Sequence, residues 1–221
     1  MTVAVFSADG VLHPFDEAAR YRLDSLIDLG SMVAPSHIPD AGPADGAGMP
    51  GPEVRALLTP MCEAFDVPEP ELRLVPGDEP EARTFLLTRH TVTVSRGLLD
   101  QLPPDEIEAV LAREVGHIAL GHVAYRSLLD APAAPVPGAV RGALAAWARA
   151  SELSADRAAA AYQGGADAVT RVLFRLAAAT SSGPAARAYA VRVREIQAWT
   201  ATPAFARLVA ARTSPPRVTL A

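Results

Sequence analysis

Leu111 to His122 reads LAREVGHIALGH, and the rest of the chain is organised around this stretch. Its apolar residues recur at helical spacing, so it reads as one helix running through His122 and on towards Leu129. Arg113, Glu114 and His117 fall on it in the order R-E-x-x-H. Residues four apart on a helix share a face, so Arg113 and His117 look the same way. His117 brings a lone pair to that face. Arg113 brings only donors and a fixed positive charge.

With His in place of Arg113 the pattern is H-E-x-x-H, in which two His on one helical face grip a zinc ion. The Glu between them is then the general base for a metal-bound water. The sequence thus holds the helix of a metal site with its first ligand replaced. Further on, Glu152 and Asp156 stand four apart in SELSADRAA, again on one helical face. A carboxylate on a second helix is how the third position of a His2Glu site is filled, and a further acid nearby can hold a ligand from behind. A guanidinium between these two acids is satisfied in charge and in hydrogen bonds. We therefore expect Arg113 to pair with Glu152, Asp156 or both.

Outward from these two helices, Asp16 to Leu29 has helical spacing with Asp16 as N-cap. Residues 35 to 52 are dense in Pro, Gly and Asp and read as a flexible loop. Glu53 to Phe65 is helical, with Pro60 imposing a kink or a late start. Leu72 to Val75, Thr84 to Thr88 and Thr91 to Ser95 are strand candidates. Pro103 and Pro104, followed by Asp105 and Glu106, form a strong helix start. Residues 131 to 137 are a Pro-Ala crossover loop. Gly138 to Tyr162 is a long helix that Gly164 ends, and further helices follow from Ala166, Pro184 and Pro203. The expected fold is α+β, mostly helical, with a small sheet beside the active-site helix, in a single domain over residues 1–221. Residues 105–122 and 138–162 should be antiparallel.

His122 and the pair Tyr125 and Arg126 read as helix-end residues, His90 as an exposed turn residue, and Trp147 and Trp199 as core. His13 and His37 carry no functional signal.

The net charge of −5 argues against nucleic-acid binding. The 20 basic residues are all Arg, and the single Cys62 excludes an internal disulfide. The N-terminus lacks a basic segment and a long apolar run, and no apolar stretch suits a membrane span. The expected location is the cytoplasm.

The chain resembles the zinc metallopeptidases of the HtpX and CAAX-prenyl-endopeptidase type, in a small form without membrane helices. Residues 94–129, VSRGLLDQLPPDEIEAVLAREVGHIALGHVAYRSLL, look like that family's strand, short helix and active-site helix. WARASELSADRAA looks like its third-ligand helix, and LLTPMCEAFDVPEPELRLVP like the helix and strand that come first. The resemblance implies a zincin-like minimal metallopeptidase fold. It implies Glu114 as general base, His117 and Glu152 as metal ligands, and Asp156 behind them. It implies the strand Val92 to Ser95 as the edge against which a peptide lies. The chain departs from the family at Arg113, at ARTFLLTRH before the strand, and at Ser214-Pro215, where the family has His-Pro.

Three readings follow. The leading one is a peptidase homologue with a degenerate site, without zinc, which keeps its cleft to bind a peptide or small molecule. The second is metal-free acid–base catalysis by Glu114, His117 and Arg113. The third is a zinc metalloendopeptidase with an unusual ligand set. On the first reading Arg113→His alone should restore metal binding.

Overall fold

The computed structural model describes residues 8–26, 51–86, 89–130, 137–179 and 183–213. Most of residues 35–52, together with His37, residues 131–136 and Ser214-Pro215, lie outside the described residues.

Two helices open the described chain, α1 (Ala8–Val11) and α2 (Pro14–Asp24). The N-cap of α2 is His13 rather than Asp16. Its ring Nδ1 accepts from the Phe15 amide at 3.1 Å, and Pro14 supplies a pre-set φ at the first helical position. Asp16 lies one turn in and is fully buried. The helix expected over 53–65 is split into α3 (Pro52–Ala56) and α4 (Leu58–Phe65). Pro60 explains the break, because its ring excludes the helical position of the carbonyl four residues back, that of Ala56.

The sheet holds β1 (Glu71–Val75), β2 (Ala82–Leu86) and β3 (His90–Ser95) in the order β1-β3-β2. β3 pairs parallel with β1 and antiparallel with β2. The strand expected to be an open edge, Val92 to Ser95, is therefore the central one. Val92 and Val94, on one face of it, are fully buried. The edge strand next to the helices is β2. His90 begins β3 and is half-buried, not an exposed turn residue.

Ser95 ends β3 and caps α5 (Arg96–Gln101), its hydroxyl oxygen accepting from the Leu98 amide at 3.0 Å. Then comes α6 (Pro104–Ala119), whose residues from Glu106 to Ile118 are almost all buried. It does not continue through His122. Gly121 takes φ +68°, and α7 (Val123–Asp130) starts afresh. α8 (Gly138–Gln163) ends at Gly164, φ 76°, and α9 (Asp167–Ala179), α10 (Pro184–Thr200) and α11 (Pro203–Thr213) follow.

α6 and α8 form the spine. Gln163 reaches Glu108, Asp156 meets Arg113 and Glu152 lies beside His117, so the helices run antiparallel. A Cβ on Gly116 would stand 2.6 Å from that of Ala158, so glycine is what lets the two backbones approach. Trp147 and Trp199 are core residues. The architecture is a mostly helical α+β fold with a three-stranded sheet, that of a minimal zincin-like domain. No described helix is long and apolar enough to cross a membrane.

Candidate functional site

Arg113 leaves α6 opposite the acidic face of α8. Its Nε donates to Asp156 Oδ1 at 2.8 Å and its Nη2 to Glu152 Oε2 at 2.5 Å. Two acids one turn apart match the reach of one guanidinium fork, so the expected pairing is made with both. Asp156 is 1% exposed and Arg113 8% at the side chain, which places this pairing in a weakly screened interior.

Two more arginines complete the cluster. Arg192 of α10 donates through Nε to Asp156 Oδ2 and through Nη2 to Oδ1, both at 2.7 Å, and its Nη1 lies 3.2 Å from Glu152 Oε2. Arg126 of α7 donates through Nη1 to Glu152 Oε1 at 2.6 Å, and the same nitrogen lies 3.0 Å from His117 Nε2. Three guanidiniums thus share two carboxylates. Burial pushes the Glu152 carboxyl up, but the charges of Arg192 and Arg113 beside it hold it well below the ordinary range. Burial opposes the charge on Arg192, and Asp156 and Glu152 outweigh it, raising that group further.

Arg126 corrects its reading as a helix-end residue. Because α6 stops at Ala119, the following turn swings α7 back over the cleft. Four-residue spacing inside one helix cannot reveal that contact. Arg192 is one of three arginines in RAYAVRVRE, and nothing in that stretch marks it out from the exposed Arg194.

His122 is corrected too. It is fully buried, its amide donates to the His117 carbonyl at 2.9 Å, and its Nδ1 lies 2.8 Å from His117 Nδ1. The protons follow from the donors at the end of the chain. Arg126 can only donate, so His117 Nε2 must be a bare acceptor. Burial, helped by Arg126, pushes His117 down to about 3, so the ring is neutral at physiological pH and carries its proton on Nδ1. His122 Nδ1 then accepts that proton's bond, and His122 Nε2–H points to Asp16 Oδ2 at 2.9 Å. The Ser154 hydroxyl donates to the same oxygen at 2.6 Å. Burial pushes Asp16 up, yet the bond from His122 leads the contacts that leave it below its usual value. Trp147 closes the back of this chain, edge-on to His122 at 5.5 Å.

Glu114 points from α6 towards β2. Its Oε2 accepts from the Thr84 hydroxyl of β2 at 2.6 Å. Burial pushes its carboxyl up, against the pull of Arg113 and Arg126. It lines a cavity of about 410 Å³ with Arg113, Arg126, Glu152 and Arg192, and Ala82 of β2 belongs to the same wall. The five residues singled out from the sequence therefore converge: Arg113, Glu114 and Glu152 on the cavity, His117 and Asp156 directly behind. Chemically, the pocket offers fixed cations and a carboxyl biased towards its protonated form, while the one imidazole lone pair behind it is taken up by Arg126. Among the described residues no group of three or more His, Cys, Asp or Glu side chains is arranged to hold a metal ion.

Fold and paired helices are those of a zincin-like α+β domain. Residues 50–131 match the model of peptidase family M48. "Protease HtpX homolog 2" of Methanosarcina mazei is 37% identical over 71 residues, 30% of this chain and 24% of that protein. "Plastoglobule-localized metallopeptidase 48, chloroplastic" of Arabidopsis thaliana is 28% identical over 137 residues, 57% of this chain and 40% of that protein. "Protease HtpX" of Stutzerimonas stutzeri is 40% identical over 63 residues, covering 28% and 22%. No solved structure gives a significant match. The chain is thus related to the HtpX-type peptidases of family M48, and its matches span less than half the length of these relatives.

Proposed function

We propose that this chain is an M48-type metallopeptidase homologue, one zincin-like domain, that has given up zinc-dependent hydrolysis and uses its cleft to bind a peptide or small molecule. The observation that carries this reading is the Arg113 guanidinium bridging Glu152 and Asp156 where a first His ligand would stand. The residues do not fit zinc. His117 and Glu152 are the two donors that face one another, short of the three protein ligands of a catalytic site. A guanidinium charge about 4 Å from a divalent ion, at an effective dielectric near 20, opposes it by roughly 8 kcal/mol. Position on an edge strand supports binding: β2 borders the cavity and keeps one side outside the sheet.

A second reading has its own observation. Glu114 is a buried carboxyl with a raised proton affinity, held by Thr84 and facing cationic neighbours, as a metal-free general acid would be. Arg113 would then hold an anionic or carbonyl group of the substrate. His117, the base on this reading, has its lone pair taken up by Arg126 and is pushed down to about 3, which counts against that role and makes this the second reading. The cytoplasm is the compartment proposed for either.

Elemental analysis after dialysis against a weak chelator tests the proposal. We expect zinc well below one atom per chain. One zinc per chain would return the protein to the working metalloendopeptidases.

A further inference from the structure

We infer that Arg126 occupies the cation position of this site, so that two arginines, not one, stand between the chain and a metal ion. The inference rests on the reading above and adds a residue to it. His117 Nε2 and Glu152 Oε1 lie 3.5 Å apart. Two ligands of one tetrahedral zinc, each about 2.0–2.1 Å from the ion, are separated by about 3.3–3.4 Å. The donor pair therefore keeps nearly the spacing of a shared ion. A single atom, Arg126 Nη1, faces both donors, at 3.0 Å from the imidazole nitrogen and 2.6 Å from the carboxylate oxygen. Arg113 does something else. It takes Glu152 Oε2 and Asp156, on the far side of the carboxylate.

The two substitutions of chemistry are thus separate. Arg113 replaces a ligand, and Arg126 replaces the ion. Behind them, the chain His117–His122–Asp16 fixes the imidazole with its lone pair towards the cleft, which is how a metal ligand is held from behind. The lone pair is satisfied by a guanidinium N–H. Arg126 is also the most exposed arginine of the cluster, 27% at the side chain against 8% for Arg113 and 11% for Arg192.

It follows that Arg113→His alone, the repair the sequence suggests, leaves a guanidinium at the ion's place. The full chain is prepared unmodified, as R113H and as R113H/R126M, loaded with zinc, dialysed against a weak chelator and analysed for metal. Circular dichroism and the unfolding midpoint establish that each is folded. We expect the double variant to hold about one zinc per chain and R113H to hold at least tenfold less. Equal loading of R113H and the double variant would overturn the inference, and so would a folded double variant without zinc. Zinc in the unmodified chain reports instead on the reading above. If the double variant does not fold, R126M alone decides through the histidine side-chain 15N spectrum. Loss of the Arg126 hydrogen bond should move the His117 Nε2 resonance downfield, and an unmoved resonance overturns the assignment.

Discussion

Helix α6 carries a buried ionic cluster at each end, and the two differ in where their arginines go. Near its start Glu106 is 1% exposed and is held by Arg175 Nε at 2.6 Å and Arg171 Nε at 3.1 Å. Those arginines come from α9 and are about half exposed, 51% and 48%, their charges open to solvent. Towards its end the cluster of Arg113, Arg192, Glu152 and Asp156 has both signs enclosed. The same residue types thus serve two purposes. Around Glu106 they tie one helix to another, and each arginine keeps water as a substitute partner. Around Asp156 no such substitute is at hand, so each charge depends on the others.

Asp156→Ala should break that contrast most strongly. It leaves Arg113 and Arg192 short of a buried partner, and we expect a loss of about 3–5 kcal/mol in denaturant unfolding. A loss under about 1 kcal/mol would mean the enclosed cluster behaves like a surface pair. The next effect is on pH. His117 is pushed down to about 3 when folded, against about 6.5 in an unfolded chain, so the unfolded state binds the extra proton between those values. Stability from this residue is complete above about 6.5 and falls with acidification, by up to about 1.4 kcal/mol per pH unit, until about 3. Glu152 and Asp16, also lowered, lose theirs only below the usual carboxylate range. Glu114 is raised and has the opposite sign, giving stability that fades as pH rises through its folded value. Unfolding midpoints across pH 4 to 7 for the native chain and His117→Gln check this, and parallel curves would remove His117 as the source. The smallest effect is reserved for Glu106→Gln. Its arginines can turn to water, so about 0.5–1.5 kcal/mol is expected. A cost equal to that of Asp156→Ala would erase the distinction between the two ends.

What the sequence revealed and what it hid divides along the same helices. Arg113, Glu114 and His117 could be read because they lie on one helix, and Glu152 with Asp156 because they lie on another. Periodicity reports faces within an element. The antiparallel pairing of α6 with α8 followed from the need to bring those faces together. Hidden were the contributions that depend on how separate elements meet. The turn at Gly121 returns His122 onto His117, and His122 looked misplaced only while one continuous helix was assumed. Asp16 carries the signature of an N-cap, and His13 outcompetes it because Pro14 fixes where the helix begins. β3 was mistaken for an edge because strand order is set by tertiary pairing, and the alternation of HTVTVS does not distinguish a central strand from an edge. Arg192 had no local signal at all.

The buried run from His117 through His122 to Asp16 has a practical corollary for cutting the chain. Asp16 and Arg192 both lie outside residues 50–131, the part that matches family M48. A fragment trimmed to that match would strand His122 without its acceptor, and would lack α8 and α10, which bring the carboxylates of Glu152 and Asp156 and the third guanidinium. The recognisable segment is therefore an incomplete half of its own polar centre. Excising it for expression, or grafting it into a relative, separates charges that became compatible only together.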